Sequence, residues 1–564
     1  MNNPLRINLF FLLFSYFCIV SLSALAQENV TEKITSLKKE GYNTYIESTG
    51  LYLQDHQSSL GNGLYHGAKR GQIASLIRGI QDQAQWAAQS TLIKRLLLTQ
   101  ADTSILENDI PFSEESDLLA IRLKALLALG LQNQAFRLYS ELDNTNTHNA
   151  LHYYGVLSML MSGEKALACV EIKTLFPDYQ DLEEWQKLNT YCAVSLSVPS
   201  ESKPEEENEG TEEKDILTQI SESTEFLFPY LPETFESLSL EDKAFLVAEK
   251  RLNFAGYDKN NYKTLPANHI QALLLAPHIN NSQKILLYIR GAQTGVIAPE
   301  DLTVLYTKTA QGIKADKRQA SNVEKIAVLY SEMGDTWLAS SKIKFMGDII
   351  LYAKTHGVAA LIPFLPMLQK IDPEDIQGGV EDIRLILLAA IIAHAEINTD
   401  WVISLSKMTV ENEDEKKLLD RLIISSFLLS DPTKMSNKKR LAVVDVIEKS
   451  RTEISLTLKN IIENIDTQHS KHANVTQIYD NNELLETIKS YKMPSYMLTN
   501  AIKDASGKSM ASVILLSNIV LTELSPADIY IGTVDFIARA MNKIGLTKEA
   551  RNILAEYVLR AEER

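Results

Sequence analysis

The sequence predicts an all-α protein, built as an α-solenoid of stacked helical hairpins in two segments separated by an acidic linker. Three observations lead to this prediction. Apolar residues recur at helical spacing along nearly the whole 564-residue chain, and the alternating pattern of strands is almost absent. From Ile216 to Arg564, clusters containing Pro, Gly or Asn-Asp interrupt the helical patterns at intervals of roughly 15 to 25 residues. Many of the helices carry an apolar stripe too wide for one hairpin to bury, so we expect successive hairpins to stack.

The N-terminus has the three parts of a secretory signal. Arg6 precedes an apolar run, Ile7–Val20, and Ala24-Leu25-Ala26 then stands before polar residues. This pattern predicts a cleaved signal peptide over residues 1–26. The alternative, a retained anchor, needs an apolar run of about 20 residues, and this run is shorter. We therefore expect the mature chain to be periplasmic or, alternatively, secreted.

The remaining chain contains no further candidate for a membrane span. The most apolar stretch, Leu385–Ala393, is too short and lies between Arg384 and His394. The formal net charge is −16 at pH 7. Since nucleic acids and anionic membranes attract basic proteins, this charge argues against either as the main partner.

Two cysteines, Cys169 and Cys192, remain once the signal segment is removed. They fall on neighbouring predicted helices, and an oxidising compartment permits a disulfide between them. Two buried free thiols are the alternative, because cysteine is also a common core residue.

Before residue 100 the pattern predicts three or four helices, including one that runs from Ile73 to Trp86. A glycine-rich stretch, Gly61–Gly71, precedes it. A phosphate-binding loop would need a preceding strand and a Gly-Lys-Ser/Thr ending, and both are missing. We interpret the stretch as a loop between helices.

Two helix-turn-helix units follow one another between Leu118 and Pro177. In the first, a helix leads to Gly130, which suits a left-handed helix stop, and a second helix follows. In the second, a helix leads to Gly163, and its partner is expected to end at Pro177.

These units resemble the tetratricopeptide repeat, which has a period of about 34 residues. In that family a turn glycine is followed five residues later by a small residue, where the paired helices touch. The matching pairs in this chain are Gly130 with Ala135, Gly163 with Ala168, Gly334 with Ala339, and Gly545 with Ala550. The family's aromatic residue near the start of the first helix is missing. The resemblance implies a scaffold for protein interactions and brings no catalytic residue with it.

An acidic segment divides the chain. Residues 199–215 hold eight acidic residues, two lysines and two prolines, and so cannot bury enough apolar surface to order themselves. The predicted organisation is therefore an N-terminal helical-repeat domain (27–198), a disordered acidic linker (199–215) and a C-terminal helical-repeat domain (216–564). A last helix before the linker is predicted at Leu182–Leu196. The helices predicted after it are Leu240–Leu252, His269–Leu275, Ser282–Arg290, Asn322–Met333, Leu338–Ala353, Val380–Ala395, Glu415–Leu428, Lys438–Glu448, Ser455–Ile465, Ser509–Glu523, Ala527–Ile544 and Thr547–Glu562.

Candidate sites for chemistry are sparse. His148 and His152 have the four-residue spacing that puts two imidazoles on one helix face, but a zinc site needs further ligands. His469 and His472 lie in a polar stretch that is typical of a surface loop. Because no nucleophile motif occurs either, we predict no catalytic, metal-binding or cofactor-binding residues.

These observations together predict a non-enzymatic periplasmic scaffold or adaptor that binds another protein of the cell envelope. The alternative is a cell-wall-active, peptidoglycan-degrading enzyme or its accessory subunit, because some lytic transglycosylases carry a long superhelical α-domain. The Glu-Ser pair of those enzymes occurs here as Glu115-Ser116, but the surrounding residues and the family's glycine-rich segment are absent.

Overall fold

The computed structural model describes residues 44–80, 86–142, 147–196, 215–223, 225–254, 257, 259–313, 320–336, 339–376, 378–431 and 494–560. These residues are mostly helical, which confirms the prediction of an all-α protein. Among them the only strands are β1 (Phe228–Pro229) and β2 (Leu252–Asn253), which pair in parallel. The predicted signal segment, the linker up to residue 214, the two helices expected between residues 438 and 465, and the His469/His472 pair lie outside the described residues.

The helices of the first half of the chain are α1 (Thr44–Glu47), α2 (Arg70–Arg78), α3 (Ala87–Leu98), α4 (Leu118–Ala128), α5 (Gln132–Ser140), α6 (Asn149–Met161), α7 (Lys165–Tyr179), α8 (Glu183–Leu196), α9 (Ile216–Glu222), α10 (Pro232–Ser237), α11 (Leu240–Ala248) and α12 (Ile270–Leu274). Short 3-10 helices lie at Asn62–Tyr65, Thr103–Ile105, Glu114–Ser116, Lys259–Thr264 and Ala267–His269.

The helices of the second half are α13 (Asn281–Thr294), α14 (Pro299–Ile313), α15 (Lys325–Asp335), α16 (Ala339–His356), α17 (Leu365–Leu368), α18 (Gly379–Ile392), α19 (Thr399–Lys407), α20 (Glu413–Leu429), α21 (Tyr496–Ala505), α22 (Met510–Glu523), α23 (Ile531–Lys543) and α24 (Thr547–Arg560). Two more 3-10 helices occupy Val358–Phe364 and Pro373–Asp375.

Helices α4 and α5 form the first predicted helix-turn-helix unit, with a capping side chain at its start and a glycine at its turn. Asp117 caps α4 by accepting a hydrogen bond from the backbone N–H of Ala120, at 2.8 Å. The chain then turns at Gly130, where φ is +73°. A side chain at Gly130 would also collide with the backbone of Asn268, so both the left-handed conformation and the close approach require glycine.

Several boundaries differ from the predicted ones. Pro177 lies inside α7, close to its C-terminal end, and does not end the helix. Trp86 is the N-cap residue of α3, whereas the predicted helix from Ile73 to Trp86 ends as α2 at Arg78. Gly334 sits inside α15 and forms no left-handed turn, unlike Gly163 and Gly545.

Helix α3 is central to the molecule, since it packs against α4, α13, α18, α22 and α24. The Trp86 indole N–H donates to the carbonyl oxygen of Leu524 at 3.0 Å. Glu556 of α24 is fully buried and accepts from the backbone N–H groups of Ala87 and Ala88 at 2.9 and 3.0 Å. A carboxylate from the last described helix therefore caps a helix from the first hundred residues.

Elements before and after the acidic segment are also in contact. Helix α11 packs on α6, and Lys187 of α8 forms an ion pair with Asp242 at 2.8 Å. The Tyr191 hydroxyl donates to Glu249 at 3.0 Å. Helices from before and after the acidic segment therefore pack against each other across the predicted domain boundary.

Candidate binding groove

A groove of about 910 Å³ runs between α15 and α16 and opens to solvent. Side chains from both helices and from the chain just before α15 form its walls. The lining residues are Ala320, Ser321, Asn322, Val323, Lys325, Val328, Leu329, Glu332, Asp348, Leu351, Tyr352, Thr355 and His356. We call this feature the α15–α16 groove.

A capping pair and one hydrogen bond between residues far apart in the sequence hold the two walls in place. Ser321 and Glu324 form a reciprocal capping pair before α15, in which each side chain accepts from the other residue's backbone N–H at 2.9 and 3.1 Å. The Tyr352 hydroxyl donates to the carbonyl oxygen of Val323 at 3.0 Å. The end of α16 is thereby held beside the start of α15, so the two helices run antiparallel.

The apolar surface of the groove includes Leu351, which lies outside the hydrophobic core. Leu351 is 63% exposed, although leucine is usually buried. Val328 and Leu329 on the opposite wall are half-buried, whereas Tyr352 is buried and its ring lies tilted against that of His356, with centroids 4.3 Å apart. Such a surface suits an apolar segment supplied from outside.

Charged groups lie at both ends of the groove. Lys325 and Asp348 are exposed toward the end where α15 begins, since Tyr352 of α16 contacts Val323, and Glu332 lies two turns further along α15. Burial and, secondarily, the positive charge of Lys263 lower the pKa of His356. Its ring is therefore mostly neutral at pH 7, and Lys325 is the lysine in the lining.

Cys169 of α7 and Cys192 of α8 are joined by a disulfide, with Cα atoms 5.5 Å apart. Both side chains are buried. The bond links the two helices that precede the acidic segment, and it lies apart from the residues that line the groove.

The structure places His148 and His152 in contacts within the protein. His148 is the N-cap residue of α6, and its Nε2 lies at ion-pair distance, 3.1 Å, from a carboxylate oxygen of Asp117. His152 contacts the Tyr179 hydroxyl through Nδ1 at 3.0 Å and the Thr147 hydroxyl through Nε2. No set of three or more potential metal-ligating side chains comes together among the described residues.

Sequence reasoning missed a Tyr–His–Glu chain. The Tyr230 hydroxyl lies 2.8 Å from His269 Nδ1, and His269 Nε2 lies 2.7 Å from Glu236 Oε2. Burial raises the pKa of Tyr230 and lowers the pKa of His269. Because Tyr230 and His269 are both buried and the phenol is harder to ionise than usual, this chain is suited to holding α10 against the following loop.

The Glu115-Ser116 pair also has a structural role. Ser116 is buried, and its hydroxyl lies 3.3 Å from the carbonyl oxygen of Pro111 and 3.0 Å from that of Ser113. Glu115 is exposed on this capping turn. A second cavity, beside Lys94, has about 30 Å³, which is too small for an organic ligand.

The glycine-rich stretch folds as a 3-10 turn and loop between helices. Leu64 and Tyr65 within it are fully buried, and Arg70 at its end forms a buried ion pair with Glu47 at 2.6 Å. Residues of this stretch therefore form part of the protein core.

A sequence signal for the groove exists in α16. Ile349, Ile350, Tyr352 and Ala353 are buried, so the neighbouring Leu351 is an additional apolar residue outside the core-facing stripe. Periodicity alone does not distinguish such a residue from one covered by a further helix.

Comparisons of the chain with protein-family models, with curated proteins and with solved structures find no match. Among the described residues, no helix is long and apolar enough to cross a membrane. Fold and site thus define a class, an all-helical protein with an open groove between two helices.

Proposed function

We propose that this chain is an exported, non-enzymatic helical scaffold that binds another protein of the cell envelope through the α15–α16 groove. The tetratricopeptide-like units and the stacking of hairpins into a solenoid are part of this proposal. The groove with its exposed Leu351 is the observation that carries it.

The shape and lining of the groove favour a macromolecular segment over a small molecule. Sites for small ligands bury most of the ligand surface, whereas this groove opens to solvent. Apolar side chains between two helices are the surface that an amphipathic segment covers in helix-in-groove recognition. Such binding requires no catalytic group.

The Cys169–Cys192 disulfide supports the exported location. Disulfides persist in oxidising compartments and are rare in the cytosol. This agrees with the secretory pattern of residues 1–26, so the proposed location is the periplasm.

The test is cross-linking in cells of the tagged full-length protein, followed by capture and mass spectrometry, for wild type, Leu351→Glu and Val170→Glu. Val170, on α7, is a matched control because it is 64% exposed, against 63% for Leu351, and lies outside the groove. We expect one envelope protein to be recovered with wild type and with Val170→Glu, and at least tenfold less with Leu351→Glu, because a buried charge is costly at an apolar contact.

Equal recovery with all three proteins would refute a role for the groove. Recovery of cell-wall fragments without a protein partner would refute the scaffold itself and favour the cell-wall enzyme.

A further inference from the structure

We propose that Asn62 is a site of spontaneous deamidation in the folded protein, at which water converts the side-chain amide into aspartate or isoaspartate and ammonia is released. This inference is independent of the proposed function. It follows from the residue that succeeds Asn62 in the sequence and from the way the structure leaves this pair of residues uncovered.

The sequence supplies the reactive pair. Asn62-Gly63 is the only Asn-Gly dipeptide in the 564-residue chain. Deamidation begins when the backbone nitrogen of the following residue loses its proton and attacks the side-chain carbonyl carbon of asparagine. Glycine permits this attack because it has no Cβ atom to crowd the nitrogen.

The reaction balances with water as the one further reactant. A bond forms between the Gly63 nitrogen and Cγ of Asn62, the Cγ–Nδ2 bond breaks, and Nδ2 leaves as ammonia with the proton taken from Gly63. Water then opens the succinimide ring. Attack of water at Cγ gives aspartate, whereas attack at the backbone carbonyl carbon gives isoaspartate, in which the chain runs through the former side chain.

The structure leaves the reacting atoms accessible. Asn62 and Gly63 are both exposed. The Gly63 N–H has no hydrogen-bond acceptor among the residues that the structure describes, and a Cβ atom placed on Gly63 would meet no atom within 4 Å. The side-chain amide of Asn62 makes one long contact, at 3.5 Å, with the side chain of Gln54. Solvent therefore reaches both the nitrogen and the amide.

The backbone around the pair is easily rearranged. Asn62–Tyr65 is a single 3-10 turn, and such turns are held by few hydrogen bonds. The bond that has to open for the attack joins the Leu64 N–H to the Gly61 carbonyl oxygen and is 3.2 Å long. By contrast, Asn281, which is also exposed and precedes Ser282, belongs to the 14-residue helix α13. Asn281 therefore serves as an internal comparison.

Isoaspartate would lengthen the backbone next to buried residues. Leu64 and Tyr65 are fully buried, and the Asn62 carbonyl oxygen accepts from the N–H of Asp102 at 3.2 Å. The turn also packs against α22, from the last part of the chain. We expect isoaspartate to loosen this packing, whereas Asn62→Asp adds the charge and keeps the backbone as it is.

The first measurement incubates the purified, folded protein at pH 8 and 37 °C in water enriched in ¹⁸O, and mass spectrometry locates the deamidated peptides. We expect ¹⁸O to enter at Asn62 about tenfold faster than at Asn281, and about tenfold more slowly at Asn62 in the Gly63→Ala variant. The alanine is accommodated because the space beside Gly63 is open.

The second measurement separates the aged protein by ion exchange and identifies isoaspartate with a methyltransferase specific for it. Amide hydrogen exchange at Leu64 and Tyr65 should be about tenfold faster in the isoaspartate fraction than in fresh wild type. The Asn62→Asp variant should exchange as the fresh wild type does.

Several outcomes would overturn the inference. Entry of ¹⁸O no faster at Asn62 than at Asn281 excludes the site, and an undiminished rate in Gly63→Ala excludes attack by the Gly63 nitrogen. Deamidation of the wild type in urea but not in its absence means that the folded turn protects Asn62. Equal hydrogen exchange in the aged and the fresh protein excludes the loosening of the turn.

Discussion

Single residues show where burial changes chemistry. His152 is 6% exposed, and both of its ring nitrogens contact hydroxyl groups within the protein. Burial and, secondarily, the neighbouring His148 lower the pKa of His152 to about 4. In the unfolded chain the imidazole has its ordinary pKa of about 6.5.

This difference predicts a loss of stability in acid. As the pH falls through 6.5 toward 4, the unfolded chain takes up a proton at His152 and the folded chain does not, so the free energy of unfolding falls. A pKa difference of about 2.5 between the unfolded and the folded chain changes the free energy of unfolding by about 3 kcal/mol at most. Denaturant unfolding between pH 7.5 and pH 4 measures it.

His152→Gln is the control, because it keeps a polar side chain without the titration. The free energy of unfolding of this variant should fall less steeply over the same pH range than that of the wild type. Parallel curves for the two proteins would contradict the assignment.

At the scale of residues, sequence reasoning succeeded where chemistry is local. Gly130 and Gly163 both adopt left-handed conformations, as the helix-stop pattern predicts. The exposure of Leu351 could not be predicted from the sequence, because the exposure of an apolar residue depends on which helices cover it. The Tyr230–His269–Glu236 chain was missed for a similar reason, since its members are brought together by folding across a separation of 39 residues.

At the scale of helices, the Cys169–Cys192 disulfide closes a loop between α7 and α8 over a sequence separation of 23 residues. In the unfolded chain this cross-link removes conformational freedom. Replacing both cysteines by alanine is therefore expected to lower the free energy of unfolding by about 3 kcal/mol.

Urea unfolding of the oxidised wild type, the reduced wild type and the double alanine variant checks this prediction. The two forms without the bond should unfold at similar, lower denaturant concentrations. If reduction leaves the midpoint unchanged, the disulfide does not stabilise the fold.

Most described helices lie where periodicity predicted them, and the errors have physical causes. Pro177 removes one backbone hydrogen bond of α7, but the helix runs only two residues beyond it, to Tyr179. Trp86 continues the apolar period of α2 in the sequence, but it is in an extended conformation and begins α3. The helical spacing of apolar residues continues from one helix into the next when both helices bury apolar residues against one core. The ends of helices were therefore harder to predict than their presence.

At the scale of the whole molecule, the contacts of α3 were not predictable. A linear stack of hairpins leads one to expect each unit to touch its neighbours, yet Ala87–Leu98 packs against Thr547–Arg560. Contacts between such distant segments leave no periodic trace in the sequence, because periodicity reports only which face is buried and not against what.

Glu556 allows this long-range packing to be tested. Glu556→Ala would remove the acceptor of the N–H groups of half-buried Ala87 and buried Ala88, with an expected loss of about 2 to 3 kcal/mol in the free energy of unfolding. Chemical unfolding measures the loss, and hydrogen exchange should show faster exchange in α3 as well as in α24.

Glu556→Gln keeps one acceptor oxygen in the same place, so its loss should be smaller. If the alanine variant exchanges faster only in α24, α3 and α24 are energetically independent.

The cap on α3 also has a consequence for biosynthesis. A ribosome makes residues 87–98 long before residue 556, so the amides of Ala87 and Ala88 lack this acceptor until Glu556 has been made. The cap on α3 therefore forms late in synthesis, after α24 has emerged. If the chain is exported as proposed above, this delay leaves α3 uncapped while the chain still has to pass unfolded through a secretion channel.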